Sequence, residues 1–161
     1  MDGAARYGLS RNFVKIRRMP RTYGCAVGRR KSDLNLKKYS NDFVRDNMLE
    51  LDGVKYLDNC FKVYTKKGAE MRLDGKPVVE SFSKATAKST AATIKVFSST
   101  ESAPLTVLED GCSLIGEVLM PIAKHLHSLK IEFSFSNTLI SVYAYPDGKE
   151  AEKVECKVNY L

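Results

Sequence analysis

Apolar and polar side chains alternate with a period of two over most of residues 129–160. Leu129, Ile131, Phe133 and Phe135 share one face of the first run, with Lys130, Glu132, Ser134 and Ser136 on the other. After Asn137-Thr138 the pattern resumes, Ile140, Val142 and Ala144 alternating with Ser141, Tyr143 and Tyr145. From Lys153 to Tyr160, Val154, Cys156, Val158 and Tyr160 oppose Lys153, Glu155, Lys157 and Asn159. Helical side chains return to one face only after three or four residues, so this pattern belongs to strands half-buried on one side. Pro146-Asp147-Gly148-Lys149 supplies turn chemistry, because proline presets φ and glycine accepts φ > 0. The three runs predict an antiparallel meander.

The same signature recurs upstream in shorter runs. Leu57 to Thr65, Ala69 to Leu73, Val78 to Ala85, Ala91 to Ser98 and Cys112 to Met120 read as strands, with Pro20 to Val27 an opening one. Lys66-Lys67-Gly68 and Asp74-Gly75-Lys76-Pro77 are turns, Thr86 to Ser89 is a link, and 99–111 is a loop of Ser, Thr, Glu, Pro and Gly. Strands separated by turn signals every 8–12 residues or so predict a mainly β fold, an antiparallel β-sandwich, and argue against βαβ units. A chain of 161 residues fits one domain that buries roughly 70% of its unfolded surface. Two stretches stand apart. Residues 3–18 predict a short N-terminal helix broken at Gly8. Residues 29–53 are charged, lack proline, and read as a long excursion between the first and second strands, in which Leu34, Leu36, Tyr39 and Phe43 suggest partial helix.

The net charge of +7 is unevenly placed. Residues 1–31 hold nine Lys/Arg against one acid, Asp2, so the remainder carries 17 bases against 18 acids and is near neutral. That distribution excludes a uniformly basic nucleic-acid surface and leaves a basic arm. No apolar run approaches the roughly 20 residues that span a bilayer, and no secretory signal is expected. Cys25, Cys60, Cys112 and Cys156 are too widely spaced for a C-x-x-C metal or redox site. They are expected to be reduced thiols in a cytoplasmic protein.

The chemistry of an enzyme is missing from the sequence. His125 and His127 lie two apart, and two ligands do not close a tetrahedral zinc site. Neither a nucleophile elbow, nor a Walker loop, nor a dinucleotide fingerprint is present. The acids Glu109-Asp110 and Glu150/Glu152 sit in loops, where charge means solvation. No catalytic residue, metal or cofactor is expected from this chain.

Specific residues resemble a family. Gly3-Ala4-Ala5-Arg6-Tyr7-Gly8 is similar to the helix that closes the actin-like ATPase domain of the 70-kDa heat-shock chaperones of the DnaK type, in their divergent type-12 branch. Arg17-Arg18-Met19-Pro20-Arg21-Thr22-Tyr23-Gly24 resembles that branch's interdomain junction and first sandwich strand, with Gly24 at the family's first-strand glycine. Val79 to Ala85 resembles the third strand, Ala91 to Val96 the fourth, and Leu114-Ile115-Gly116-Glu117 the opening of the fifth. Ile131 to Phe135 and Ile140 to Lys149 resemble the last long hairpin. Only 29–53 falls outside the match. The basic Asn12 to Arg18 replaces the family's hydrophobic linker.

The resemblance implies residues 1–18 as a remnant of the last ATPase-domain helix plus a basic linker. It implies 19–161 as a β-sandwich like the substrate-binding domain of heat shock protein 70. Phosphate loops and metal-binding carboxylates would lie upstream of Met1, so ATP and magnesium enter only with an upstream ATPase domain. The chain is then either a fragment of a longer ATP-dependent protein or a stand-alone remnant without a lid. The implied partners are extended apolar peptides or unfolded protein segments, with no membrane. By position the groove is lined by Cys25 and Val27, by Phe82 and Ala85, and by Ala92 and Ile94, the small alanines leaving room for a guest Leu or Ile. Two alternatives stay open: an interaction sandwich without a groove, using a sheet edge or the 29–53 excursion, and a basic-arm binder of nucleic acid or acidic membrane.

Overall fold

The computed structural model describes residues 16–73, 76–83, 89–123 and 126–160. Within them run β1 (Ile16–Arg18), β2 (Thr22–Arg30), α1 (Asn41–Asn47), β3 (Met48–Leu51), β4 (Val54–Thr65) and β5 (Glu70–Arg72). Then follow β6 (Val78–Ser83), β7 (Ala91–Ser99), β8 (Cys112–Pro121), β9 (Ser128–Phe135), β10 (Leu139–Pro146) and β11 (Val154–Asn159). Every ladder is antiparallel. One sheet has the order β3-β4-β2-β7-β8, a second β11-β10-β9-β6, and β1 pairs with β5 alone. The fold is mainly β, as the alternation requires, and the predicted meander 129–160 is β9-β10-β11.

The apolar faces of the two larger sheets share one buried cluster. Tyr23, Cys25, Ile94, Val96, Val118 and Met120 come from the five-stranded sheet, and Leu129, Ile131, Phe133, Ile140, Val142 and Val158 from the four-stranded one. Tyr64 of β4 stacks on Phe133 of β9 with ring centroids 4.0 Å apart, tying the sheets at their middle. At the β8–β11 side the sheets approach closely: a Cβ on Gly116 would lie 2.5 Å from Val158 Cγ1 and 2.9 Å from Cys156 Sγ.

The 29–53 excursion folds against the outside of this body. β2 runs on to Arg30, two 3-10 turns follow, and Ser40 caps α1 by accepting a hydrogen bond from Phe43 N at 3.2 Å. β3 then pairs with β4, a strand the sequence reading did not expect. Asn59, at φ 58°, puts a kink in β4, and its side chain donates to Asn47 Oδ1 at 2.8 Å. The 99–111 loop docks on the same kink. Phe61 N donates to Leu105 O, Val107 N donates to Asn59 O, and Val107 is buried, so a segment read as a polar loop carries part of the core.

The expected N-terminal helix over 3–18 is corrected at its end. Ile16 to Arg18 are a strand, held by β5 and by the Arg17 guanidinium 3.8 Å over the Tyr160 ring. The rest of that expectation lies outside the described residues.

Gly24 shows why the opening strand needs glycine. A Cβ there would collide with the Lys62 carbonyl oxygen of the neighbouring strand and stand 2.8 Å from the Phe61 ring. Backbone cannot yield as a flexible side chain does, so Gly24→Ala is expected to cost roughly 1–3 kcal/mol. Thermal unfolding should show a midpoint lower by several degrees, at about 2–4 °C per kcal/mol for a chain of this size. An unchanged midpoint would contradict the packing described.

Candidate binding cleft

β2 and β7 begin as partners and then separate. Their ladder runs from Thr22↔Ser99 to Cys25↔Val96 and stops. Beyond it β2 continues with β4 as far as Arg30↔Tyr56, and β7 continues with β8 as far as Ala91↔Pro121. Each of these outer ladders contains a register shift near the divide, between Val27 and Arg29 in β2 and between Val96 and Phe97 in β7. The extra residues belong to the outer partners, Asp58-Asn59 of β4 opposing Gly28 alone and Ile115 of β8 opposing none of β7, and a bulge bends the strand that carries it and increases its twist. No ladder pair joins Ala26–Arg30 to Ala91–Lys95.

The opening is a cleft of about 670 Å³. Val27, Phe82, Ala92, Ile94, Ile122, Leu129 and Ile131 line its apolar part, with Phe82 beside Leu129 in the β6–β9 ladder. Arg29, Arg30, Asp33 and Asp58 line a charged part, and Leu49, Leu51 and Tyr56 lie on the β3–β4 side. Lys62 of β4 and Glu80 of β6, 3.6 Å apart, join the two sheets along the cleft wall. Being partly exposed, this pair contributes at most about 1 kcal/mol, so it marks the closing line more than it enforces it. A smaller recess of about 340 Å³ lies between Tyr39 and Phe43 on one side and Leu105 and Leu108 on the other.

Of the six residues expected at a groove, the structure brings four together here: Val27, Phe82, Ala92 and Ile94. Ala85 lies outside the described residues. Cys25 does not line the cleft; it is wholly buried in the core, one alternation step before Val27. Burial pushes its thiol up to about 12, with Tyr64 as the neighbouring hydrogen-bond partner. Such a thiol stays protonated at neutral pH. All four cysteines are free, and no cluster of three metal-ligating side chains occurs among the described residues. His127 is described and His125 is not.

The residues that sequence reading missed are Leu49, Leu51 and Tyr56. Their signal was present: Asp52-Gly53 flanked by alternating apolar residues is a two-residue hairpin pattern. It was overlooked because charge dominates the 29–53 stretch.

No family model matches the chain, and no curated protein matches it. Among the described residues no helix is long and apolar enough to cross a membrane.

The buried thiol sets an alkaline limit on stability. Cys25 and Tyr23 are both pushed up to about 12, chiefly by burial, from ordinary values of 9.0 and 10.0. Below pH 9 both groups hold their protons folded or unfolded, and the full stability is present. Only the unfolded chain ionises Cys25 between pH 9 and 12 and Tyr23 between pH 10 and 12, so stability falls as pH rises through those windows, by ~1.4 kcal/mol per pH unit per group. Cys25→Ala should make that fall shallower in urea unfolding followed from pH 8 to 11. An equal slope in the variant would show that Cys25 is not sealed in the core.

Proposed function

We propose that the chain binds extended apolar segments of unfolded protein in the cleft between β2 and β7, as the substrate-binding domain of the 70-kDa heat-shock chaperones does. The observation that carries this reading is the parting of β2 from β7 over an apolar floor. Along Ala26–Arg30 and Ala91–Lys95 β2 and β7 are each paired on one side, with β4 and β8, and their facing edges have no ladder partner; an extended chain is the ligand that can use such an edge, by adding main-chain hydrogen bonds. The half-buried Val27, Phe82 and Ala92 give a guest Leu or Ile an apolar seat.

The strand order supports the same reading. The segments that resemble the family's first, third, fourth and fifth strands and last hairpin are β2, β6, β7, β8 and β9–β10, in that order. In this reading the antiparallel sheets form a sandwich of that substrate-binding type, the chain itself performs no catalysis, and the protein works in the cytoplasm on unfolded clients. An upstream ATPase domain, where one accompanies it, would supply ATP and magnesium. An interaction surface in the recess between α1 and the 99–111 loop is the weaker alternative, since that recess has about half the volume and is not bordered by parted strands.

Ala92 tests the proposal. It lines the cleft on the same face as Ile94, and Ala92→Leu would fill the space a guest side chain needs. Burying one leucine contributes roughly 1.5–3 kcal/mol before ordering costs, so the variant should bind a fluorescent seven-residue peptide with a central leucine at least tenfold more weakly. Its thermal midpoint should stay within a degree or two of the wild type. A lowered midpoint, with no peptide bound even by the wild type, would place Ala92 in the core and remove the proposal.

A further inference from the structure

We infer that the cleft reads two apolar side chains of its peptide, the second seated on Leu49 and Leu51 of β3 and Tyr56 of β4; this rests on the peptide-binding reading above. The β3–β4 hairpin closes through Asp52 and Gly53, with φ of 50° and 78°, the two left-handed residues of a tight two-residue turn. Leu51 and Val54 pair directly across it, as do Leu49 and Tyr56. The two faces of the hairpin are unlike. Leu57, on one, is fully buried, whereas Leu49 is 44% and Val54 37% exposed on the other. Leu49, Leu51 and Tyr56 line the same cleft as Val27 and Ala92, so this uncovered apolar face continues the binding surface.

Register sets the distance between the two seats. Leu49, Tyr56 and Arg30 stand side by side in one row across β3, β4 and β2, and Val27 lies three residues before Arg30. Two strand spacings across and three residues along make about 14 Å, which an extended chain spans in about four residues. On a helix, anchors at i and i+4 are only about 6 Å apart along the axis and do not reach both seats. Between the seats the cleft presents Arg29, Arg30 and Asp58, so the linking residues of the ligand meet charge and are polar. The occupant is an extended peptide with apolar anchors at positions i and i+4 and polar residues between them.

Three fluorescein-labelled nine-residue peptides of Ser, Thr and Gln separate the outcomes by anisotropy: one with a single leucine, one with leucines at i and i+4, one with leucines at i and i+2. The i,i+4 peptide should bind about tenfold more tightly than the single-anchor peptide, and the i,i+2 peptide should show no comparable gain. Leu49→Ser should abolish the gain, so that the variant binds the i,i+4 peptide no more tightly than the single-anchor peptide, with circular dichroism and thermal midpoint as for the wild type; Leu51→Ser is the second variant should the first unfold. Equal affinity of the three peptides overturns this inference while the peptide-binding reading stands. So does a wild-type dimer that Leu49→Ser converts to monomer in sedimentation without altering the peptide series, since the second copy would then be the occupant. No binding of any peptide overturns both.

Discussion

The four cross-strand pairs from Thr22↔Ser99 to Cys25↔Val96 divide this molecule in two. On their near side β2 and β7 are one continuous sheet, and Tyr23, Cys25 and Val96 are sealed into the core. On their far side the same strands follow different partners, and the space between them is the cleft. The bulges near the divide lie in the outer partners, β4 and β8, which β2 and β7 follow as they part. The stacked rings of Tyr64 and Phe133 and the Lys62–Glu80 pair stand close to the boundary.

An open apolar cleft costs stability, because half-buried Val27, Phe82 and Ala92 retain contact with water that a closed sandwich would remove. The opposite side of the molecule offsets that cost. There β8 and β11 approach until Gly116 leaves no room for a side chain against Val158, and Val118, Met120, Ile140 and Val142 are sealed between the sheets. The sheets behave as a wedge, tight along β8 and β11 and open along the far ends of β2 and β7. In the proposed reading, a ligand entering the open end would complete a core that the chain leaves unfinished.

Strand positions were legible in the sequence because period-two alternation reports a half-buried strand directly, and β9, β10 and β11 follow that pattern residue for residue. Val27, Phe82, Ala92 and Ile94, named together from the sequence as lining a groove, lie together along one cleft between the two sheets. Cys25 was misplaced because alternation assigns Cys25 and Val27 to one face and cannot say where along that face the neighbouring strand departs. The point at which β7 leaves β2 has no local sequence mark. β3 and the buried Val107 were hidden for another reason: both lie in stretches whose average composition is polar, and tertiary docking on the Asn59 kink, invisible in a linear pattern, is what orders them.

Amide hydrogen exchange, with and without a saturating leucine-centred peptide, tests the central claim most directly. Along Ala26–Arg30 and Ala91–Ile94 one edge of each strand pairs with β4 or β8 and the edge facing the opening has no ladder partner, so the amides on that open edge, about every second residue, should exchange readily in the free protein and slow markedly when peptide is bound. Amides of Thr22–Cys25 and Val96–Ser99, already paired, should change little. Peptide-induced protection confined to the α1 and 99–111 recess, or none at either parted segment, would contradict the account.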